Sequence, residues 1–169
     1  MEGSEVTLQG EVAKRFLGSD FDFVRGELRW NAGFRPEEKL NVATQFQVGS
    51  KTGNEFQHKF YLGGLDTLRG FLDKQFRGDH FWLFNLEVRP TLLETPNWIL
   101  QGNLFADLAK TWDGKSFSVA GFDKPFITFG TGFRIILPRV YRGILRGDIA
   151  WTQEPIKQVG FTFGLQQFF

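Results

Sequence analysis

The feature that most constrains this chain is a period of two. In Leu40-Asn41-Val42-Ala43-Thr44-Gln45-Phe46-Gln47-Val48, one face carries Leu40, Val42, Phe46 and Val48 and the other Asn41, Gln45 and Gln47. From His80 to Arg89, Trp82, Phe84, Leu86 and Val88 alternate with Phe81, Leu83, Asn85, Glu87 and Arg89. Ile127, Phe129, Phe133, Ile135 and Leu137 alternate with Thr128, Gly130, Gly132 and Arg134, and Val159, Phe161, Phe163 and Leu165 with Gly160, Thr162, Gly164 and Gln166. Successive side chains of a strand point to opposite faces, so this pattern is that of strands, each with one apolar face. Weaker versions at residues 5–16, 21–30, 55–62, 98–109 and 143–152 bring the count to nine candidate strands. Most have about 9–11 residues, enough to cross a bilayer at a tilt. No segment carries a convincing helical period.

Two architectures share this alternation: a soluble antiparallel sandwich or barrel, and a membrane barrel. Composition separates them. The chain has 21 Phe and 5 Trp in 169 residues, yet its mean hydropathy is only -0.23. The apolar residues are interleaved with polar ones, as in a wall with lipid on one side and water on the other. The polar face is rich in charge: Arg25, Glu27, Arg29, Asn85, Glu87, Arg89, Asp107, Arg134, Arg146 and Asp148. Trp30, Tyr61, Trp98, Trp112, Tyr141 and Trp151 lie near strand ends, where interfacial girdles form. A transmembrane antiparallel β-barrel is therefore favoured over a soluble lipid-binding barrel.

Other classes recede. A net charge of +1 gives no electrostatic case for nucleic acid. The absence of cysteine removes disulfides and thiolate zinc sites and suits passage through an oxidising periplasm. No catalytic serine, zinc-protease or phosphate-loop motif occurs, and Gly130-x-Gly132 lacks the third glycine of a dinucleotide fingerprint. His58 and His80 occur singly and read as surface or girdle residues, so no metal, cofactor or catalytic residue is expected. Met1-Glu2-Gly3-Ser4 has no basic stretch leading into an apolar core and reads as the start of a mature chain or fragment rather than a signal peptide.

The connections fall into two alternating classes. Residues 17–20, 49–54, 93–96 and 138–142 are short; residues 31–39, 63–79, 110–125 and 153–158 are longer. One rim of tight turns and one of loops is the barrel expectation, with loops outside and turns in the periplasm. The loop at 63–79 is the most informative. Tyr61-Leu62-Gly63-Gly64-Leu65 leads into Leu68-Arg69-Gly70-Phe71 and then Arg77-Gly78-Asp79. A guanidinium cannot shed its proton, so an arginine folded into a barrel needs carboxylate partners. Glu87 and Asp107, both on polar strand faces, are the candidates.

Gly63-Gly64, Leu68-Arg69-Gly70-Phe71, Gly78-Asp79 and Glu87-Val88-Arg89, in that order, resemble the BamA/TamA/two-partner-secretion superfamily of outer-membrane assembly and translocation proteins. Phe105-Ala106-Asp107-Leu108-Ala109 is similar to its Phe-x-Asp-x-Gly element, with Ala109 in place of the glycine. Gly130-x-Gly132-x-Arg134 and Leu145-Arg146-Gly147-Asp148 resemble two further strands, and the end at Phe169 resembles the terminal strand whose last aromatic is an assembly signal. The resemblance implies that residues 1–169 are a C-terminal, surface-antigen-like barrel domain without the periplasmic POTRA modules that usually precede it. It implies a barrel of eight to nine strands, or half of a sixteen-strand barrel. It implies a non-enzymatic protein of the outer membrane of a Gram-negative-type bacterium or equivalent organelle, inserting or translocating polypeptides. Leu68, Arg69, Gly70 and Phe71 would lock the loop inside the barrel, with Gly63, Gly64 and Phe105 as further motif positions. The implied partners are outer-membrane lipid, and unfolded outer-membrane or secreted polypeptides. A passive anchor or pore for a fused patatin-like passenger is the alternative.

The count of nine conflicts with the even strand numbers of bacterial barrels. It makes residues 5–16 a strand that starts at the loop rim. Three explanations stand open: a truncated chain, an extra first strand, or assembly with another copy of the chain to complete a larger barrel.

Overall fold

The computed structural model describes residues 2–53, 56–114, 117, 123–140 and 143–165. In chain order the strands are β1 (Gly3–Ala13), β2 (Phe23–Glu37), β3 (Leu40–Thr52), β4 (Phe60–Leu62), β5 (Phe76–Gly78), β6 (His80–Glu94), β7 (Ile99–Trp112), β8 (Phe126–Leu137), β9 (Gly143–Glu154) and β10 (Gln158–Leu165). Eight of them form one sheet in the order β1-β2-β3-β6-β7-β8-β9-β10, and β4 with β5 make a separate small hairpin. Every neighbouring pair in the sheet is antiparallel. β1 and β10 are the two edges and do not pair with each other. The wall is an open sheet of eight strands, as half of a barrel would be.

Its two faces are inverted relative to a soluble protein. Leu8, Leu104, Phe133, Phe161 and Phe163 are among the large apolar side chains left exposed, at 48–77%. On the other face Gln45, Gln47, Asn85, Glu87, Asn103, Asp107, Arg134, Arg146 and Asp148 are all buried. Water would reverse that arrangement; hydrocarbon on the outer side stabilises it.

What buries the polar face is the connection between β3 and β6, described from residue 56 to residue 79. It folds back over the sheet and carries β4 and β5 with it. Leu68 and Phe71 join Phe60, Leu62, Phe81, Leu83, Ala109 and Phe126 in one apolar cluster, with Phe76 packed against it. The Phe60 and Phe81 ring centroids are 4.7 Å apart, and Phe76 stacks on Phe126 at 4.2 Å. Gly63, Gly64 and Gly70 have φ of 123°, 96° and 85°, conformations that side chains with a Cβ rarely adopt, and they let the loop reverse tightly.

This loop corrects the strand count. The alternation at residues 55–62 reads as a ninth wall strand, but Phe56–His58 is a 3₁₀ turn and Phe60–Leu62 pairs only with Phe76–Gly78. Phe60 and Leu62 point into the cluster over the sheet rather than to lipid. Eight wall strands remain, and the parity problem disappears.

Removing that strand also inverts the rims for the first part of the chain. Residues 31–39 are not a loop: β2 continues to Glu37, with a register shift between Phe34 and Glu37, and turns sharply into β3 at Leu40. That turn lies on the same rim as the β6–β7 and β8–β9 connections. The β1–β2 connection, read as a tight turn, lies on the loop rim with residues 53–79. β1 therefore starts at the turn rim, and β10 ends there. Phe169 lies outside the described residues.

Two further expectations change. Tyr61 sits in the β4–β5 hairpin rather than in a girdle, while Trp30, Trp98 and Trp151 remain on wall strands or their turns at 36–38% exposure. Trp112 packs beside His80, with centroids 5.6 Å apart; Tyr141 is outside the described residues. His80 is fully buried rather than superficial: Nδ1 lies 3.0 Å from Ser50 Oγ and Nε2 3.1 Å from the Gly114 carbonyl. His58 is half-buried and stacks on Phe23.

The inverted wall makes a direct prediction. Phe133→Arg, near the middle of β8 on the exposed face, should destabilise the membrane-inserted fold by about 2–4 kcal/mol, whereas Lys124→Arg at the loop rim should be neutral. Denaturant unfolding in lipid vesicles measures both; equal stability of the two variants would contradict a lipid-facing wall.

Candidate functional site

The densest chemistry lies where the loop meets the polar face. Period-two geometry places Asn85, Glu87 and Arg89 of β6, Asn103, Phe105 and Asp107 of β7, Arg134 of β8, and Arg146 and Asp148 of β9 on one side of the sheet. The registers bring them into a band: Asn85 is opposite Asp107, and Arg134 opposite Arg146. Two arginines opposite each other on adjacent strands repel, so this band demands carboxylates nearby.

Arg69 enters the band from the loop and is 1% exposed. Its Nε donates to Asp107 Oδ2 at 2.8 Å, its Nη2 to Asp107 Oδ1 at 2.5 Å, and its backbone N–H to Asp107 Oδ2 at 3.2 Å. Its Nη1 donates to Glu87 Oε1. The guanidinium also lies over the Phe105 ring, 3.6 Å from carbon to centroid. Fork geometry, ring stacking and two acids hold one side chain in one orientation. Asn85 completes the contact: its Nδ2 donates to Asp107 Oδ1 and to the Thr67 carbonyl, both at 2.7 Å.

Glu87 is the hub. Besides Arg69, it accepts from Arg89 Nε at 2.6 Å, from Arg146 Nη2 at 3.3 Å, and from Arg134 Nη2. Arg146 also donates through Nε to Asp148 Oδ2 at 2.9 Å, and Asn103 Nδ2 holds Asp148 Oδ1 at 2.9 Å. Four guanidiniums thus share three carboxylates in a region closed to water, where each remaining charge depends on its partners.

Glycines make the room. A Cβ on Gly130 would strike the Phe105 ring on which Arg69 rests, at 2.8 Å from Cε1, and one on Gly132 would lie 2.9 Å from Asp148 Cα. The tip of the loop rests on β9 and β10. A Cβ on Gly70 would meet Thr152 Cγ2 at 2.9 Å and Ala150 Cβ at 3.0 Å, and one on Gly160 would meet Gly70 Cα at 2.6 Å. Gln158 Nε2 donates to the Gly70 carbonyl at 2.7 Å. The loop is therefore fastened at Arg69 to β6 and β7 and seated at Gly70 on β9 and β10.

At the loop rim, outside the wall, Lys59 donates to Asp113 at 2.7 Å. That hydrogen bond holds the Lys59 amine above its ordinary pKa and the Asp113 carboxyl below its own. Toward the turn rim the polar face lines an open cavity of about 740 Å³, with Glu5, Arg35, Glu38, Arg89, Glu94 and Gln101 among the residues around it. The loop thus fills one half of the concave side and leaves the other open.

Of the residues singled out in the sequence, Leu68 and Phe71 lie in the apolar cluster, Arg69 meets Glu87, Asp107 and Phe105 directly, and Gly63, Gly64 and Gly70 shape the loop. Arg89, Arg134, Arg146 and Asp148 were recognised as polar-face residues but not as partners of Arg69 and Glu87. Gly160 gave no signal at all beyond its place in the alternation. Among the described residues no group of His, Asp and Glu could hold a metal ion.

A family model described as the Omp85 superfamily domain matches residues 1–169, the whole chain. No curated protein matches it.

The hub orders the expected effects of substitution. Arg69→Ala or Glu87→Ala should cost about 3–5 kcal/mol, because each leaves buried charges without partners. Glu87→Ala should be the worse, since it takes a carboxylate from four arginines at once. Chemical denaturation of the folded protein in detergent measures this, and a loss below 1 kcal/mol for Glu87→Ala would refute the hub.

Proposed function

We propose a function from one premise: the chain belongs to the Omp85 superfamily, whose members are outer-membrane proteins of polypeptide assembly or translocation. In our reading it is a non-enzymatic outer-membrane barrel component that inserts or translocates unfolded polypeptides, and Leu68-Arg69-Gly70-Phe71 locks a loop inside it. The observation that carries this is the seating of Arg69, which spends a bidentate pair, a second carboxylate and an aromatic face on holding one loop. Nothing in a passive wall needs that. The cavity of about 740 Å³ on the turn side, with Glu5, Arg35, Glu38, Arg89 and Glu94 among its lining residues, leaves space on the same concave face for a bound segment.

Mechanistically, the loop acts as an internal stop. While Arg69 stays paired, the loop occupies the half of the concave side nearest the loop rim. A substrate entering from the turn rim meets the loop and the arginine band rather than an open channel. The wall strands supply the second element. β1 and β10 each have one side with no strand beside it, and such edges can template an incoming strand by β-augmentation. The partners of this function are outer-membrane lipid, the unfolded polypeptide and a second copy of the chain. The C-terminal Phe169 serves as the signal by which the protein itself is inserted.

Two experiments test the reading. In vesicles that contain the protein, Arg69→Lys, which keeps charge but loses the fork, should lower the rate of substrate-barrel insertion or peptide translocation at least tenfold while the wall stays folded. Wild-type rates with Arg69→Lys would favour the passive anchor or pore of a patatin-like passenger instead. Deleting Phe169 should reduce the fraction of the protein inserted in cells, and full insertion without it would remove the signal role.

A further inference from the structure

Near the turn rim the concave side turns apolar in the middle of the sheet. Ile99 of β7 lies opposite Ile136 of β8, which lies opposite Ile144 of β9. In their strands they stand two residues from Gln101, Arg134 and Arg146, so alternation puts them on the same concave face. All three are part-exposed and line the cavity of about 740 Å³. Farther along that face the loop covers the large apolar side chains: Phe81, Leu83, Phe105 and Phe126 are at most 9% exposed. The loop between β3 and β6 contributes no described residue to the lining of the cavity. A row of three isoleucines on a wet and otherwise polar face forgoes a favourable burial unless something apolar lies on it.

Acid surrounds this apolar row. Glu94 is opposite Ile99 and continues the row on β6, and Glu2, Glu5 and Glu38 line the same cavity. Among the described residues none of these four carboxylates takes part in an ion pair. Of the two cations in the lining, Arg89 is committed to Glu87, and Arg35, which donates to Asn41 Oδ1 at 3.2 Å, is left to face four acids. Gln101 is 8% exposed and gives its Nε2 to Thr91 Oγ1 at 3.2 Å, while its Oε1 has no partner among the described residues. A ligand matched to this lining carries positive charge, hydrogen-bond donors and apolar side chains together. A bare cation has no use for the isoleucines, an acyl chain none for the carboxylates, and an anion is repelled.

Resting on the polypeptide reading above, we propose that the turn-side cavity binds a basic, amphipathic segment of polypeptide. Its apolar side chains lie on Ile99, Ile136 and Ile144, its lysines or arginines meet Glu38 and Glu94, and one of its N–H groups donates to Gln101 Oε1. The row from β6 to β9 crosses three gaps between strands, roughly 14 Å, which is the length of about four extended residues. The substrate class follows: segments that combine basic and apolar residues are held at the turn side, below the arginine band, and acidic segments are turned away.

The test is direct binding to the full chain in nanodiscs of phosphatidylcholine, a lipid without net charge, with the signal from empty nanodiscs subtracted. Three labelled peptides of equal length serve as probes, alternating Lys with Leu, Glu with Leu, and Lys with Ser, and fluorescence anisotropy reads the affinity. The Lys-Leu peptide should bind at least tenfold more tightly than either of the others, and high salt should weaken it. Glu38→Gln combined with Glu94→Gln should reduce its affinity about fivefold, as expected for two solvent-facing ion pairs. Ile136→Ser should reduce it about tenfold through lost apolar contact. Equal binding of the Lys-Leu and Glu-Leu peptides overturns the proposal, as does Lys-Leu binding that neither variant weakens. Absence of binding above empty nanodiscs also overturns it, as when another part of the chain occupies the cavity. Peptide binding without insertion or translocation sinks the functional reading alone, and an active protein with no preference for the basic peptide sinks this inference alone.

Discussion

Hydrocarbon accepts no hydrogen bonds, and every other property of this wall answers to that constraint. It forces backbone pairing along eight antiparallel strands, turns Phe and Leu outward, and leaves the polar side chains with nowhere to go but the concave side. A polar concave side in turn needs something to neutralise it, because Glu87, Asp107 and Asp148 cannot stay charged in a dry space alone. The loop between β3 and β6 meets that need from above with Arg69, and the wall meets it from within with Arg89, Arg134 and Arg146. The loop is thus part of the wall's electrostatics as well as an insertion between strands. Its apolar half, Leu68 and Phe71 among Phe60, Leu62 and Phe81, gives it a hydrophobic reason to stay, and its charged half fixes where it stays.

This division explains the composition of the motif. Leu68 and Phe71 flank Arg69 and Gly70 and point into the cluster, so the same four residues are anchored by burial at both ends and by charge in the middle. Gly70 can lie on Ala150, Thr152 and Gly160 only because none of the contact positions brings a larger side chain there. A lysine at position 69 would keep the charge but reach a single acceptor at a time, without the planar fork or the stack on Phe105.

Much of this was legible in the sequence, for physical reasons that also mark its limit. Alternation reports which face a residue takes, and so it put Arg69's acceptors, Glu87 and Asp107, on the polar side together with Arg89, Arg134 and Asp148. It does not report which residue lies across the next strand. Register is set by turn lengths and bulges, and only the structure shows that Arg134 sits opposite Arg146 with Glu87 between them. The misreading of residues 55–62 has the same root. A hairpin laid on a sheet alternates just as a wall strand does, with Phe60 and Leu62 buried by neighbours instead of lipid. One such segment was enough to reverse the assignment of rims for β1, β2 and β3. Gly160 was invisible for another reason: a glycine within a strand signals a close approach without naming what approaches.

The convergence on Glu87 has a consequence for how the sheet assembles correctly. A strand that slips by one residue against its neighbour turns its whole inner set outward. For β6 such a slip would carry Glu87 and Arg89 into hydrocarbon and leave Arg134, Arg146 and Arg69 without their shared acceptor. The same holds for β8, through Arg134, and for β9, through Arg146 and Asp148. Wrongly aligned sheets of this sequence are therefore penalised by charge even where their greasy outer faces would match equally well. The arginine band works as a proofreading device, checking alignment across four strands at one point.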